Sequence, residues 1–343
     1  MSQNRLSQKG ISLIEIMIAM MISVIIIFEV YKIYQTNIQS FKQQKAVAEL
    51  QRNARFSIDM IKNSVHSAGY ARLFGSISNR VENLLKVKDD IRWDTKYAII
   101  GYNNVSNSDT YAGITGFKSG SDVIIIKQAT RAEAILDNPD ANTIHVASGS
   151  ETSAGDLLLL TNSNTATLVQ ASSVVAGADK KIITVDANGT PGNDSGLTID
   201  YSYNSDISSL RSLVYYLKPD GSSSNVSATL YRAVIDSSGA LKEEEIASNI
   251  LDFQITYGLD TDADNQTDEY KNAADITDWG QVSSLGLFFV AASEGIIQSN
   301  LKTVISFDAL EHQHNIDVST DAGADRRMKR AFRTYIDLKN RLI

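Results

Sequence analysis

The sequence contains no cysteine, three prolines and two tryptophans among 343 residues. Without cysteine, disulfide bonds and cysteine-based zinc or redox centres are excluded. This absence does not fix the compartment, because disulfides are optional even in exported proteins. Three prolines are too few for a proline-rich linker, and a hydrophobic content of 43% is enough for a substantial core. The composition therefore predicts an ordered chain with one large domain or two small ones.

The sequence also lacks the common catalytic motifs. It has no Gly-x-Ser-x-Gly, no phosphate-binding glycine loop and no His-Glu-x-x-His. Aspartate and glutamate are plentiful, but no pair stands out as a general acid and base. We therefore expect a protein that is not an enzyme.

The net charge of −8 is unevenly distributed. Residues 1–10 carry +2, residues 11–30 carry −2, residues 31–68 carry +4, and the remainder carries −12. Phosphate contacts require lysine and arginine, so a body this acidic is a poor general binder of nucleic acid. We therefore expect no direct nucleic-acid partner.

An apolar run begins immediately after the basic leader. Residues 11–28 include only three polar residues, Ser12, Glu15 and Ser23. As a helix the run is about 27 Å long, close to the thickness of the bilayer core. No small-residue cleavage site follows it, as one would in an ordinary secretory signal. The basic leader favours the cytoplasmic side, so the pattern predicts a single membrane span with an exported body.

The helical pattern continues beyond the membrane segment. Apolar or small residues recur at steps of three or four, and Gly69 is a plausible end. The predicted stripe is Tyr34, Ile38, Phe41, Lys45, Ala48, Ala54, Ile58, Ile61 and Val65. We predict one helix over residues 11–68, roughly 87 Å long, that is apolar all round in its first half. Its second half, residues 29–69, is predicted to be amphipathic with a basic outer face.

The sequence Lys9-Gly10 followed by Ile-Ser-Leu-Ile-Glu resembles the prepilin signature of type IV pilins and type II secretion pseudopilins. In that family the prepilin peptidase cuts after the glycine and methylates the new amino terminus. The resemblance implies a leader of residues 1–10, cleavage between Gly10 and Ile11, and an N-methylated Ile11. The family's usual first residue is phenylalanine, and Ile11 departs from it.

Glu15 gains a role from this processing. A carboxylate in lipid is costly unless it is paired. After cleavage, Ile11 carries an amine at a similar depth, and Glu15 of one subunit can pair with the amine of its neighbour. Such pairing would hold the stems in one register. The alternative is a glutamate that extends to the cytoplasmic headgroups from near the start of the helix.

Residues 70–343 are predicted to form a β-rich globular domain. Apolar runs separated by Gly, Ser, Asn and Asp clusters predict nine strands. These are residues 121–128, 143–147, 156–161, 181–185, 212–217, 228–234, 250–257, 284–291 and 332–338. Segments 103–113, 186–196 and 218–225 read as exposed loops. A long helix packed on antiparallel sheet gives an α+β class.

Several stretches of the body resemble PilW-type minor pilins. They are residues 51–70, 120–127, 155–162, 250–270, 279–293 and 326–341. The resemblance implies a minor subunit of a type IV pilus that helps prime assembly, at or near the tip. The implied partners are other minor pilins, the major pilin, the prepilin peptidase and the inner-membrane assembly platform. Cell adhesion and twitching motility are the functions associated with such pili.

The same resemblance implies a location and leaves alternatives. The chain would lie in the inner membrane with a periplasmic body, and afterwards in the pilus at the cell surface. One alternative is a J-type pseudopilin of type II secretion. Others are a pilus-tip module for adhesion or DNA uptake, and a membrane-tethered periplasmic enzyme. Many PilW-type chains contain cysteines, so any disulfide of that family is lacking here.

One acidic segment has the spacing of a cation loop. Asp260, Asp262, Asp264 and Asp268 follow one another at intervals of two, two and four residues. Oxygen ligands at this spacing suit Ca²⁺. An EF-hand loop has glycine at its sixth position and glutamate at its twelfth, where this chain has Asn265 and Lys271. Asparagine can adopt the left-handed conformation that the turn needs. Calcium binding and a solvated acidic turn both remain open.

The carboxyl-terminal segment, residues 326–341, contains seven basic residues and one acidic residue. Arginines beside Phe332 and Tyr335 would fit nucleic acid. However, Phe332, Thr334, Ile336 and Leu338 alternate as one face of a strand does. We therefore favour a final strand with a basic solvent face.

Overall fold

The computed structural model describes most of the chain. It covers residues 12–69, 81–129, 132–162, 165–199, 201–203, 205–221, 227–235, 241–296, 304–309, 312–317 and 327–339. One helix, α1 (Leu13–His66), comes first, and seventeen strands follow within these residues. This is the predicted α+β class.

The strands vary widely in length. They are β1 Val81–Asn83, β2 Ile99–Tyr102, β3 Val123–Ala129, β4 Glu133–Ala134, β5 Thr143–Ala147, β6 Leu157–Thr161, β7 Ala166–Gln170, β8 Ser173–Ala176, β9 Lys180–Thr184, β10 Asp206–Pro219, β11 Ala228–Ile235, β12 Leu241–Leu259, β13 Glu269–Asn272, β14 Val282–Ile296, β15 Val304–Ala309, β16 His312–Asp317 and β17 Arg327–Asp337. Two short 3₁₀ helices, Ala273–Asp275 and Trp279–Gln281, connect β13 to β14. All nine predicted strands are present.

The main sheet is antiparallel in the order β2-β3-β10-β11-β12-β14-β17, with β13 beside the end of β12. A second sheet contains β1, β7, β6, the start of β10 and β4. Strand β10 joins the two sheets, because Asp206–Ser209 pairs with β6 and Ser212–Pro219 pairs with β11. A smaller sheet, β5-β9-β8, packs its apolar residues with those of β6 and β7. Strands β15 and β16 form a separate hairpin.

Around β3 and β10 the main sheet is buried on both faces, to which successive residues of a strand point alternately. In β3, Ile124 and Ile126 pack with the stem residues Ile61 and Val65. Val123 and Ile125 belong to a different cluster, which includes Trp93 and Phe117. Near-continuous apolar runs such as that of β3 are expected when both faces are covered.

The helix meets the sheet only in its second half. The buried helix residues are Ala46, Leu50, Ala54, Ser57, Ile61, Ser64 and Val65. Part of the predicted stripe is therefore wrong, because Tyr34, Phe41 and Ala48 are exposed. The sheet first covers the helix near Ala46. The side of the helix that it covers there is not the side that carries the first part of the predicted stripe. The later part of the stripe, Ala54, Ile58, Ile61 and Val65, is buried or half-buried as predicted.

Two of the three predicted exposed loops are partly buried. Val105 and Ala112 are buried in the first of them, and Asn193 is buried in segment 186–196. Asn193 accepts the Gln170 N–H at 2.7 Å and donates to the Gln170 carbonyl at 2.8 Å. The prediction failed because a composition of turn residues does not show that a neighbouring strand supplies these buried partners.

Candidate functional sites on the stem and on an acidic loop

The first half of α1 has no cover within the described chain. Every residue from 12 to 37 is exposed, including seventeen large apolar side chains between Leu13 and Tyr34. By length and composition this helix could cross a membrane once. Exposed apolar surface on this scale requires lipid or another protein around it. The first half of the stem is therefore suited to a bilayer or to a bundle of similar helices.

Glu15 lies in the first turn of α1. Its backbone N–H donates to the Ser12 carbonyl at 3.0 Å, and its side chain is exposed among apolar neighbours. A carboxylate costs about 3 kcal/mol on insertion scales at the centre of a membrane helix, and less near an end such as the one where Glu15 lies. Gly10 and Ile11 lie outside the described residues, so the cleavage site and the pairing of Glu15 with an amine remain predictions.

The second half of the stem is attached to the body by polar as well as apolar contacts. Ser64 and Tyr215 share a buried hydrogen bond of 2.8 Å between their hydroxyls. Burial raises the pKa of the Tyr215 hydroxyl. Just beyond the helix, the Gly69 N–H donates to the Lys127 carbonyl of β3 at 3.2 Å. These contacts fix where the stem ends on the sheet.

The outer side of the same half-helix is basic. Five cationic side chains are exposed there, and they are Lys42, Lys45, Arg52, Arg55 and Lys62. Lys45 lies 3.8 Å from Glu49 across one helical turn, a pair that contributes little in solvent. The exposed stem beyond the apolar segment therefore keeps a net positive surface, which suits contact with acidic neighbours.

The acidic loop connects β12 to β13 and is closed by its own hydrogen bonds. The Thr261 N–H and hydroxyl both donate to the Asp268 carboxylate at 2.7 Å. These two bonds lower the pKa of Asp268. The Asn265 N–H donates to the Asp260 carboxylate at 3.0 Å, and Asn265 has a φ of 68°, the left-handed turn that the sequence predicted.

The structure brings together three of the four predicted calcium ligands. One carboxylate oxygen each from Asp260, Asp262 and Asp268 lies within 4.8 Å of the others. Asp264 instead accepts hydrogen bonds from the Gln266 N–H and side-chain amide, at 2.7 and 3.0 Å. Lys271, at the twelfth position, pairs with Glu269 at 2.5 Å. Calcium takes six to eight oxygens, so the three carboxylates form part of a ligand set.

Sequence reasoning missed a buried acid beneath the sheet. Asp122, just before β3, is 2% exposed and accepts the N–H groups of Asn104 and Ile255 at 2.9 and 2.7 Å. Its own N–H donates to the Phe253 carbonyl at 3.0 Å, so it joins the start of β3 to β12. An aspartate after Gly-Ser looks like a turn residue, and nothing in the local sequence signals this role.

Comparison with known proteins gives one match. Residues 214–340 match a family described as Type IV Pilus-assembly protein W, over a little more than a third of the chain. The matched part runs from β10 to β17 and contains the acidic loop, but not the stem. No curated protein and no solved structure matches the chain significantly. The similarity supports involvement in type IV pilus assembly and interaction with other pilus components.

Proposed function

We propose that this chain is a minor pilin, a structural subunit that enters a type IV pilus through its helical stem. The observation that carries the proposal is the divided stem. Helix α1 exposes a largely apolar half, in which Glu15 is the one charged residue before Glu29, and packs its other half on the sheet. The similarity of residues 214–340 to a pilus-assembly family supports the same role for the body.

The mechanism follows from this division. The apolar half holds the chain in the inner membrane, with the body in the periplasm, both before and after the prepilin peptidase cuts between Gly10 and Ile11. The stem then leaves the lipid for a bundle of other stems. Because both environments are apolar, this transfer costs little hydrophobic free energy. Glu15 is the exception, since its carboxylate gains a partner only in the bundle, where it pairs with the amine of a neighbouring Ile11.

The size of the body favours a position at or near the tip. Its sheets span residues 81–337, and a large body has fewer neighbours at the end of a filament than along the shaft. There it would help prime assembly together with other minor pilins and the major pilin, on the inner-membrane platform. We propose no catalytic role. A J-type pseudopilin would share the stem and the processing, and differs in the filament that it joins.

Glu15→Ala tests the register mechanism. We expect the variant to insert into the membrane and to be cleaved normally, but to fall about tenfold or more in sheared pili relative to the membrane fraction. A loss of this size corresponds to about 1.4 kcal/mol of pairing. Glu29→Ala is the matched control, because Glu29 is also an exposed stem glutamate but lies beyond the apolar segment. Normal incorporation of Glu15→Ala would contradict the pairing.

A further inference from the structure

The last strand of the main sheet has an open edge within the described part of the chain. Strand β17 pairs with β14 in a regular antiparallel register from Ser284↔Asp337 to Ala292↔Lys329. The Leu338 N–H donates to the Ser283 carbonyl at 2.9 Å. In such a pair only every second residue directs its N–H and C=O at the partner strand.

The alternation of these hydrogen bonds along β17 shows which of its backbone N–H and C=O groups do not bond to β14. Because the backbone N–H of Leu338 bonds to β14, the backbone N–H and C=O groups of the even-numbered residues of β17 also point toward β14. The N–H and C=O groups of Ala331, Arg333 and Tyr335 therefore point to the opposite side. No strand among the described residues pairs with that side. An edge of this kind is a template for an added strand.

A groove lies between the start of β17 and the stem. Its volume is about 530 Å³, and it is lined by Met328 and by stem residues between Ser40 and Gln51. The lining side chains are uncharged, with three glutamines that can donate and accept hydrogen bonds. A strand added to β17 would place alternate side chains on the stem side of the sheet, toward this groove.

The edge is cationic on both faces of the sheet. Arg330, on the stem side, and Arg333, on the other side, are exposed, and neither forms an ion pair with a described residue. The Arg333 guanidinium lies 5.0 Å from the Phe288 ring and 4.9 Å from the Tyr335 ring, so cation–π contacts orient it. Since the body as a whole is strongly acidic, this basic strand is where an acidic segment is electrostatically favoured.

We propose that β17 binds an extended, acidic segment of a neighbouring pilus subunit as an added strand. The partner's identity as a pilus subunit rests on the proposed function. Main-chain hydrogen bonds to Ala331, Arg333 and Tyr335 supply affinity, and alternating side chains supply specificity. Acidic residues of the segment face Arg330 and Arg333, while small residues on the stem side occupy the groove.

Photocrosslinking in cells that produce the full chain tests the proposal. A photoreactive residue replaces Ala331, and a control chain carries it at Val175, which is 58% exposed on the separate β8. We expect position 331 alone to give an adduct with another pilus subunit. The crosslinked peptide should contain several acidic residues. Its apolar residues should not recur at the three- and four-residue steps that are typical of a helix. No adduct at 331, the same adduct from 175, or a peptide without acids would overturn the proposal. The charges would then serve only to keep the edge from aggregating.

A backbone variant separates strand addition from simple charge attraction. With the photoreactive residue at Tyr335, Ala331→Pro removes one outward N–H and should lower the adduct yield about tenfold, equivalent to about 1.4 kcal/mol. Ala331→Val keeps the N–H and should leave the yield unchanged. Proline is tolerated on the unpaired side of an edge strand, and an unchanged Tm checks this. Equal yields from both variants would overturn the proposal.

The amount of the chain in sheared pili distinguishes a failure of strand addition from a failure of the proposed function. If the chain with the photoreactive residue at position 331 enters pili without forming an adduct, strand addition fails and the proposed function stands. If the chain never enters pili, the proposed function fails.

Discussion

The carboxylate of Asp122 is removed from water by the fold, whereas that of Glu15 is exposed and would leave water only in a membrane or a bundle of helices. Glu15 is exposed on an apolar helix that needs an external environment, and the apolar run on both sides makes it conspicuous in the sequence. Asp122 is enclosed by the chain's own fold, beneath β12. The long-range partners of Asp122, Asn104 and Ile255, come together only in the sheet. Sequence reasoning therefore singled out Glu15, whose role stays a prediction, and missed Asp122.

The burial of Asp122 predicts an unusual pH dependence of stability. The pKa of Asp122 is raised to about 7, because burial, with a smaller contribution from the nearby charge of Asp252, outweighs the two N–H bonds that lower it. A raised pKa means that the folded state holds a proton that the unfolded state releases. The contribution of Asp122 is thus fully present below pH 4, its ordinary range, and is lost as the pH rises through about 7.

Asp122→Asn should remove this slope between about pH 4 and pH 7. The measurement is the free energy of unfolding of the full chain in detergent, by denaturant titration at several pH values. Absolute stability should also fall, because an amide cannot accept both N–H groups as a carboxylate does. Asp262→Asn, at an exposed loop position, is the control and should keep the slope. A variant with the wild-type slope would show that Asp122 does not titrate in this range.

At the scale of elements, the docking of the stem is the most direct test of the fold. Ile61 is 0% exposed against the sheet, while Phe56 on the same helix is 51% exposed. We expect Ile61→Ala to lower the free energy of unfolding by about 2–5 kcal/mol, through lost burial and a cavity. Phe56→Ala should change it by less than about 0.5 kcal/mol. Equal losses from the two variants would place the packed side of the helix elsewhere.

The acidic loop leads to a separate prediction at this scale. Three carboxylates without a bidentate glutamate should bind calcium weakly, with a Kd on the order of 1 mM. About 10 mM calcium should then stabilise the chain by roughly 1.4 kcal/mol and raise its Tm by a few degrees. Asp262→Asn should abolish this shift and Asp264→Asn should keep it, because Asp264 faces Gln266. An unchanged wild-type Tm would make the loop a solvated turn.

The strands show what local sequence can and cannot predict. Runs such as β3 and β6 are apolar along their whole length, and their position follows from composition. Strand β13 is polar and forms only because β12 offers a partner. The first part of β12, with three consecutive glutamates, was not predicted as strand. Its charges are satisfied across strands, since Glu243 accepts from Lys218 at 2.6 Å. Such partners are distant in sequence and therefore invisible to periodicity.

At the scale of the whole molecule, the stem and the body differ in how their apolar surface is covered. The apolar half of the stem is uncovered and depends on lipid or on other helices. The body buries two of its apolar clusters by itself and the third together with the second half of the stem, and it carries most of the negative charge. A subunit that moves from a membrane into a filament needs this combination. The length of the helix and the class of the fold followed from the sequence, whereas the side of the helix that meets the sheet did not.

The central claim is that the chain is processed at its leader and enters a surface filament. Mass spectrometry of the amino-terminal peptide, in membranes and in material sheared from the cell surface, tests it most directly. We expect a peptide that begins at methylated Ile11 in both fractions. The same peptide confined to membranes would point to a pseudopilin or to a sparse subunit at the pilus tip. An intact amino terminus at Met1 or Ser2 in every fraction would contradict the account.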